Sequence, residues 1–143
     1  MAIPTPEPGL VLSYSYLWDR EAQAGQEEGR KDRPCVIVLV VERKATGETI
    51  VTVLPVTHSA PPDPASAVEI PQPIKKHLGL DDERSWVMVS EGDEFVWPGY
   101  DLRKLPGTDR FDYGLLPPRF FETIKATMLA WHKANKVTLT SRS

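Results

Sequence analysis

The sequence predicts a mainly β fold of α+β class: a small barrel of short strands with one C-terminal α-helix packed on it. Three observations carry this. Two β-forming runs, Arg33-Pro34-Cys35-Val36-Ile37-Val38-Leu39-Val40-Val41 and Ile50-Val51-Thr52-Val53-Leu54-Pro55-Val56-Thr57-His58-Ser59, stand on either side of the turn Lys44–Glu48 and suit an antiparallel hairpin. Further short β-forming stretches are separated by segments rich in proline and glycine. Helical periodicity is sustained only from Pro117 onward, and no helix separates the early strands, which disfavours a parallel α/β sheet.

In chain order, residues 1–8 hold Pro4, Pro6 and Pro8, which deny a helix its backbone donors, so a flexible lead-in is expected. From Gly9, Leu10-Val11-Leu12-Ser13-Tyr14-Ser15-Tyr16-Leu17-Trp18 mixes β-formers with short alternation and reads as the first strand. Asp19 to Asp32 is polar, charged and twice interrupted by glycine, which suits a long solvated loop or flap. The hairpin follows, turning at Thr46-Gly47. Ala60 to Pro73 is proline-rich, an extended loop with one short strand at Ala67–Ile70. Ile74 to Leu78 fits a single helical turn stopped by Gly79. Ser85–Ser90 reads as a strand, and Glu94–Trp97 as a short one before the Pro98-Gly99 turn. Pro117-Pro118 opens a helix to about Lys136, with Phe120, Ile124, Met128 and Trp131 on one apolar face. Residues 9–136 form the expected single domain, and 137–143 a C-terminal tail.

The chain has 143 residues, 41% of them hydrophobic and 26% charged, enough for one domain with its own core. No apolar run reaches the ~20 residues of a membrane-spanning helix, and no signal peptide is evident, so a cytoplasmic protein is expected. The single cysteine, Cys35, excludes an internal disulfide and a cysteine-based zinc site; inside an apolar run it reads as a buried thiol. His58, His77 and His132 are scattered and give no metal-ligand spacing, and no cofactor is implied. A net charge of −3 argues against broad nucleic-acid coating but leaves room for a small local positive site.

If the two runs pair antiparallel, Arg33 and Thr57 come to the same end of the sheet. A guanidinium beside a hydroxyl suits a phosphodiester. The plainer alternative for Arg33 is a strand end paired with Asp32 or Glu28, and Thr57 is a β-former at a strand end. His58 has the titration range for acid–base work, or is simply solvated. Trp97 and Tyr100 either stack on unpaired bases or form a hydrophobic corner. Asp81-Asp82-Glu83 reads as a solvated turn, and Arg30 and Lys31 as surface charges or phosphate contacts.

With these residues in view, the chain resembles the PemK/MazF toxins of bacterial type II toxin–antitoxin systems. The resemblance lies in the Gly-led strand Gly9–Trp18, in Gly25-Gln26-Glu27-Glu28-Gly29-Arg30-Lys31-Asp32-Arg33-Pro34 ending in Arg-Pro before a strand, and in Pro55-Val56-Thr57-His58-Ser59. Gly79-Leu80 and Tyr113-Gly114-Leu115-Leu116 continue it in the family's order, so it spans roughly residues 9–135. It implies an SH3-like barrel, a homodimer, an antitoxin as partner, and metal-independent cleavage of single-stranded messenger RNA to a 2′,3′-cyclic phosphate and a 5′-hydroxyl. It also implies Arg33 and Thr57 as catalytic residues; the residues around them, Glu28, Arg30, Lys31, His58, Ser59, Glu91 and Trp97, are the candidate substrate contacts. Where many relatives carry Asp-Gln after the middle strand, this chain has Ser90-Glu91. The alternative is therefore a catalytically weakened barrel that binds RNA or a protein, and a structural interaction protein is a third reading.

Overall fold

A computed structural model of the chain describes residues 3–25, 32–135 and 137–142. Its elements run β1 (Leu10–Ser15), α1 (Asp19–Gln23), β2 (Asp32–Glu42), β3 (Thr49–Thr57), β4 (Ala67–Glu69), α2 (Gln72–Leu78), β5 (Trp86–Met88), β6 (Glu91–Val96), β7 (Asp112–Leu115), α3 (Pro118–Ala134) and β8 (Thr138–Arg142). The architecture is a mainly antiparallel sheet with a helix near the C-terminus. Its strands follow the order β4-β5-β3-β2-β1-β7, with β6 also paired to β3 and β8 to β6. Among the described residues no ladder joins the end strands β4 and β7, so the hydrogen-bonded path is open.

The hairpin β2–β3 is the centre of the sheet, with Cys35 opposite Pro55 and Glu42 opposite Thr49. Gly47 turns it at φ +73°, where a side chain would be strained, and its N–H donates to the Arg43 carbonyl at 2.7 Å. The stretches Cys35–Val38 and Val51–Val56 are buried without alternation because both faces of the sheet are covered there, whereas Leu39 and Val41, nearer the turn, are exposed. Val36, Val38, Leu54 and Val56 face one core with Val87, Val89, Phe120, Phe121 and Ile124. Cys35, Ile37, Val51 and Val53 face the other, with Leu12, Tyr14, Tyr16 and Phe95. Helix α3 covers the first face through Phe120, Phe121 and Ile124, all buried, as its apolar spacing predicts.

Strand β3 forks along its second edge. Ile50 to Val53 pair with β6, whereas Val56 and Thr57 pair with β5. Gly92 on β6 permits the close approach of the first branch, since a Cβ there would lie 2.6 Å from the Val53 carbonyl oxygen.

Several segments differ from expectation. The Asp19–Asp32 stretch opens as helix α1 rather than as a loop, because the Glu21 carboxylate accepts the free Trp18 N–H at 3.1 Å and so satisfies a helix-start donor. Residues 26–31 lie outside the described residues. Asp112–Leu115, given no element in the sequence reading, is a strand paired with β1. Thr138–Arg142, set apart by sequence as a tail, is β8, the one parallel partner of β6. Cys35 is fully buried, and burial pushes its thiol well up from the ordinary value, so it is an inert core group as expected.

Candidate functional site

A cavity of about 270 Å³ opens at the end of the β2–β3 hairpin. Sequence dictates this place: continuing the ladder past Cys35 and Pro55 carries Arg33 and Thr57 out of the core at the same sheet edge. Both line the cavity, with His58, Asp81, Ser85 and Tyr113 among its other walls.

Arg33 is half-buried. Its Nη1 donates to the Val56 carbonyl at 3.3 Å, and its guanidinium lies over the Trp18 ring at 5.0 Å, a cation–π contact that fixes the fork. Its Nε is buried without a partner. Burial lowers the Arg33 pKa from its ordinary value, yet a guanidinium keeps its charge at any working pH. Thr57 Oγ1 accepts the Ser59 N–H at 3.2 Å, which leaves its hydroxyl proton free to donate. Ser59 thus touches Thr57 through its backbone and does not itself line the cavity.

His58 is fixed by the segment between α2 and β5. Its Nε2 lies 2.9 Å from Asp81 Oδ2 and 3.6 Å from Glu83 Oε2, and its Nδ1 lies 3.0 Å from the Arg84 carbonyl oxygen. Gly79, at φ +73°, ends α2 in the left-handed conformation and sends the chain back toward β3. Buried Lys75 reaches Asp81 Oδ1 at 2.7 Å and also donates to the Glu83 carbonyl. Partial burial pulls the Asp81 carboxyl up, but the Lys75 hydrogen bond and the His58 and Lys75 charges outweigh it and hold its pKa low. The His58, Asp81 and Glu83 polar atoms lie within 4.8 Å of one another. Because the Lys75 ammonium already neutralises Asp81, this is an ion-pair network.

Of the sequence-derived candidates, the structure gathers Arg33, Thr57 and His58 in one cavity, with Ser59 adjacent. Glu91 and Trp97 are elsewhere. Glu91 Oε2 accepts from the Tyr16 hydroxyl and the Asp19 N–H, both at 2.9 Å, and so ties β6 to the start of α1. Trp97 stacks beside Phe95, with ring centroids 6.1 Å apart, against the second core, which is the hydrophobic-corner alternative. Glu28, Arg30 and Lys31 lie outside the described residues. The sequence reading missed Lys75, Asp81, Ser85 and Tyr113. Asp81 follows the Gly79-Leu80 pair by one residue, a signal that was available; Lys75 had none, since its burial depends on contacts six and eight residues away.

The family model described as PemK-like, MazF-like toxin of type II toxin-antitoxin system matches residues 16–92, more than half of the chain. The protein is thus a type II toxin by class, and the chain belongs to the PemK/MazF-like family. The matched span contains Arg33, Thr57, His58, Lys75 and Asp81, and membership implies an antitoxin partner. No curated protein and no solved structure matches the chain. Among the described residues no helix is long and apolar enough to cross a membrane.

Proposed function

We propose that this chain is a metal-independent endoribonuclease that cleaves single-stranded RNA, restrained in the cell by its antitoxin. The observation that carries the reading is the convergence of Arg33 and Thr57 on one cavity at a shared sheet edge. RNA supplies its own nucleophile: the 2′-hydroxyl attacks the adjacent phosphorus, the P–O5′ bond breaks, the 2′-oxygen gives up its proton, and the 5′-oxygen gains one. The products are a 2′,3′-cyclic phosphate and a 5′-hydroxyl. The protein's part is to align that attack and to stabilise charge on the phosphate oxygens. The Arg33 fork fits those oxygens. Thr57 donates to a phosphate oxygen or to the leaving 5′-oxygen. The same reading takes the forked sheet as the family's SH3-like barrel, the protein as a cytoplasmic homodimer, and messenger RNA as the substrate.

The test is cleavage of a mixed single-stranded RNA in EDTA, with Arg33→Ala alongside and mapping of the new 5′ ends. The expected result is cleavage by the wild type at a short recurring motif, leaving 5′-hydroxyls, and a loss of about 10²–10³-fold in Arg33→Ala. Full activity in a folded Arg33→Ala overturns the assignment. A second reading, a barrel that binds RNA without cutting it, is favoured by one observation. Glu91, near the place where relatives carry Asp-Gln, is engaged by Tyr16 and Asp19 and lies away from the cavity. Intact RNA from a folded wild type selects that reading.

A further inference from the structure

Trp18, between β1 and α1, carries two guanidiniums. That of Arg33 lies 5.0 Å from the ring centroid and that of Arg20 lies 5.1 Å from it. Arg33 reaches the ring from the cavity wall, whereas Arg20 stands on α1 and is exposed. The ring is itself held edge-on to Tyr16, with centroids 5.0 Å apart. The start of α1 is fixed as well. The Trp18 N–H donates to Glu21 Oε1 at 3.1 Å, and the Asp19 N–H donates to Glu91 Oε2 at 2.9 Å. Arg20 therefore sits on a fixed support, one ring away from the cavity. A guanidinium stacked on an aromatic face keeps its N–H edge for an in-plane acceptor.

Neither cation has an anion of its own. Among the described residues Arg20 and Arg33 form no ion pair, whereas Arg43, Arg84, Arg103, Arg110 and Arg142 each do. The acids of this corner are engaged elsewhere. Glu21 is buried and accepts the Trp18 N–H; Glu91 accepts from the Tyr16 hydroxyl and the Asp19 N–H. Burial lowers the Arg33 pKa most, and the Arg20 charge acts in the same direction, with the Glu21 charge opposing it. The two guanidiniums thus repel each other in a protein whose net charge is −3. A ligand with two anions at neighbouring positions relieves that repulsion, and each guanidinium suits a phosphate.

We propose that Arg20 is a substrate-binding residue: it holds the phosphate of single-stranded RNA next to the one on Arg33, with the Trp18 ring as the spacer between the two guanidiniums. That the ligand is RNA rests on the endoribonuclease reading. A strand carries one anion per nucleotide, so a chain whose scissile phosphate enters the cavity presents its next phosphate outside, where Arg20 is exposed. Such a contact positions the strand and reads no base. Arg20 is not a catalytic residue, since its phosphate does not react. It strengthens the bound substrate and the transition state alike.

The experiment compares wild type, Arg20→Gln and Arg20→Lys. Arg20 is exposed, so both variants are expected to fold, as thermal unfolding would show. Binding of a 2′-O-methyl single-stranded RNA, which cannot be cut, is titrated over a range of salt concentrations. Arg20→Gln is expected to bind roughly 3- to 10-fold more weakly. Its plot of log affinity against log salt should be shallower by about 0.7, the share of one phosphate contact on a single strand. Arg20→Lys keeps the charge and should keep the slope. In cleavage, Arg20→Gln should raise KM with kcat unchanged, whereas Arg33→Ala lowers kcat. A fall in kcat with KM unchanged overturns the binding role. Unchanged affinity and slope in Arg20→Gln, beside a wild type that cuts RNA, overturn the proposal and leave the endoribonuclease reading standing. A poly-glutamate peptide that binds through Arg20, with RNA binding unaffected, also overturns it and assigns the pair to an acidic partner segment. Weakened binding and a shallower slope in Arg20→Gln, beside a wild type that never cuts RNA, uphold the phosphate contact and overturn the endoribonuclease reading alone. A wild type that does not bind the RNA overturns both.

Discussion

Arg33 owes its position to neighbours on three elements: the Val56 carbonyl on β3, the Trp18 ring before α1, and its own place at the start of β2. The ring contact is the one that a single substitution removes without touching the sheet. A cation–π contact of this kind contributes about 0.5–2 kcal/mol. Trp18→Leu is therefore expected to lower kcat/KM by about 2- to 30-fold, while thermal unfolding shows the fold retained. Unaltered kcat/KM would show that the fork is aimed by the backbone alone. At this scale the site was half legible. Arg33 and Thr57 sit at the ends of runs whose pairing follows from the runs themselves. Asp81 and Lys75 were hidden because their roles depend on contacts across a turn that composition describes only as charged. Glu91 follows β5, as the order of the runs says, but its carboxylate accepts from Tyr16 and Asp19 and does not line the cavity.

Among the elements, β8 adds to its ladder with β6 one buried side chain that ties it to the rest of the fold. Arg142 is buried; its Nη1 donates to the Ser15 carbonyl and to Asp93 Oδ2, both at 2.9 Å, and its Nη2 lies 2.7 Å from Asp101 Oδ1. Burial pushes the Asp93 carboxyl up to about 7, against the Leu17 N–H and Arg142 that favour its charged form; its unpartnered Oδ1 is the natural seat of the proton. Arg142→Met strands that group. Above pH 7, where Asp93 is charged, the loss should approach the ~3–5 kcal/mol of a broken buried pair. At pH 5, with Asp93 protonated, it should be smaller. Urea unfolding at the two pH values checks this, and equal losses would show that Asp93 does not change charge between them. No sequence pattern announced β8, since Thr138-Leu139-Thr140-Ser141-Arg142 is short, polar and half-exposed, and only its docking on β6 makes it a strand. The hairpin and α3 were legible because each carries its own period.

For the whole molecule, the raised Asp93 sets a pH trend. A carboxyl that titrates near ~3.9 in the unfolded chain and near 7 when folded binds its proton more tightly in the fold. Stability is then highest below about pH 4 on this account, and falls as pH rises toward 7. Glu91, raised mainly by burial, adds to the same slope; Asp81, held low, opposes it in the acid range. Asp93→Asn should flatten the decline between pH 4 and 7 in chemical unfolding, and an unchanged slope would reassign it. The fork of β3 has a consequence in time as well as in space. Its first half is locked between β2 and β6, but Val56 and Thr57 have only the three-residue β5 on their outer edge. Local opening follows the weakest ladder, so in hydrogen exchange the amides of Val56 and Thr57 should trade with solvent well before those of Val51 and Val53. The hydroxyl assigned to catalysis would then ride on the part of the sheet that breathes, and a bound ligand would slow that exchange first.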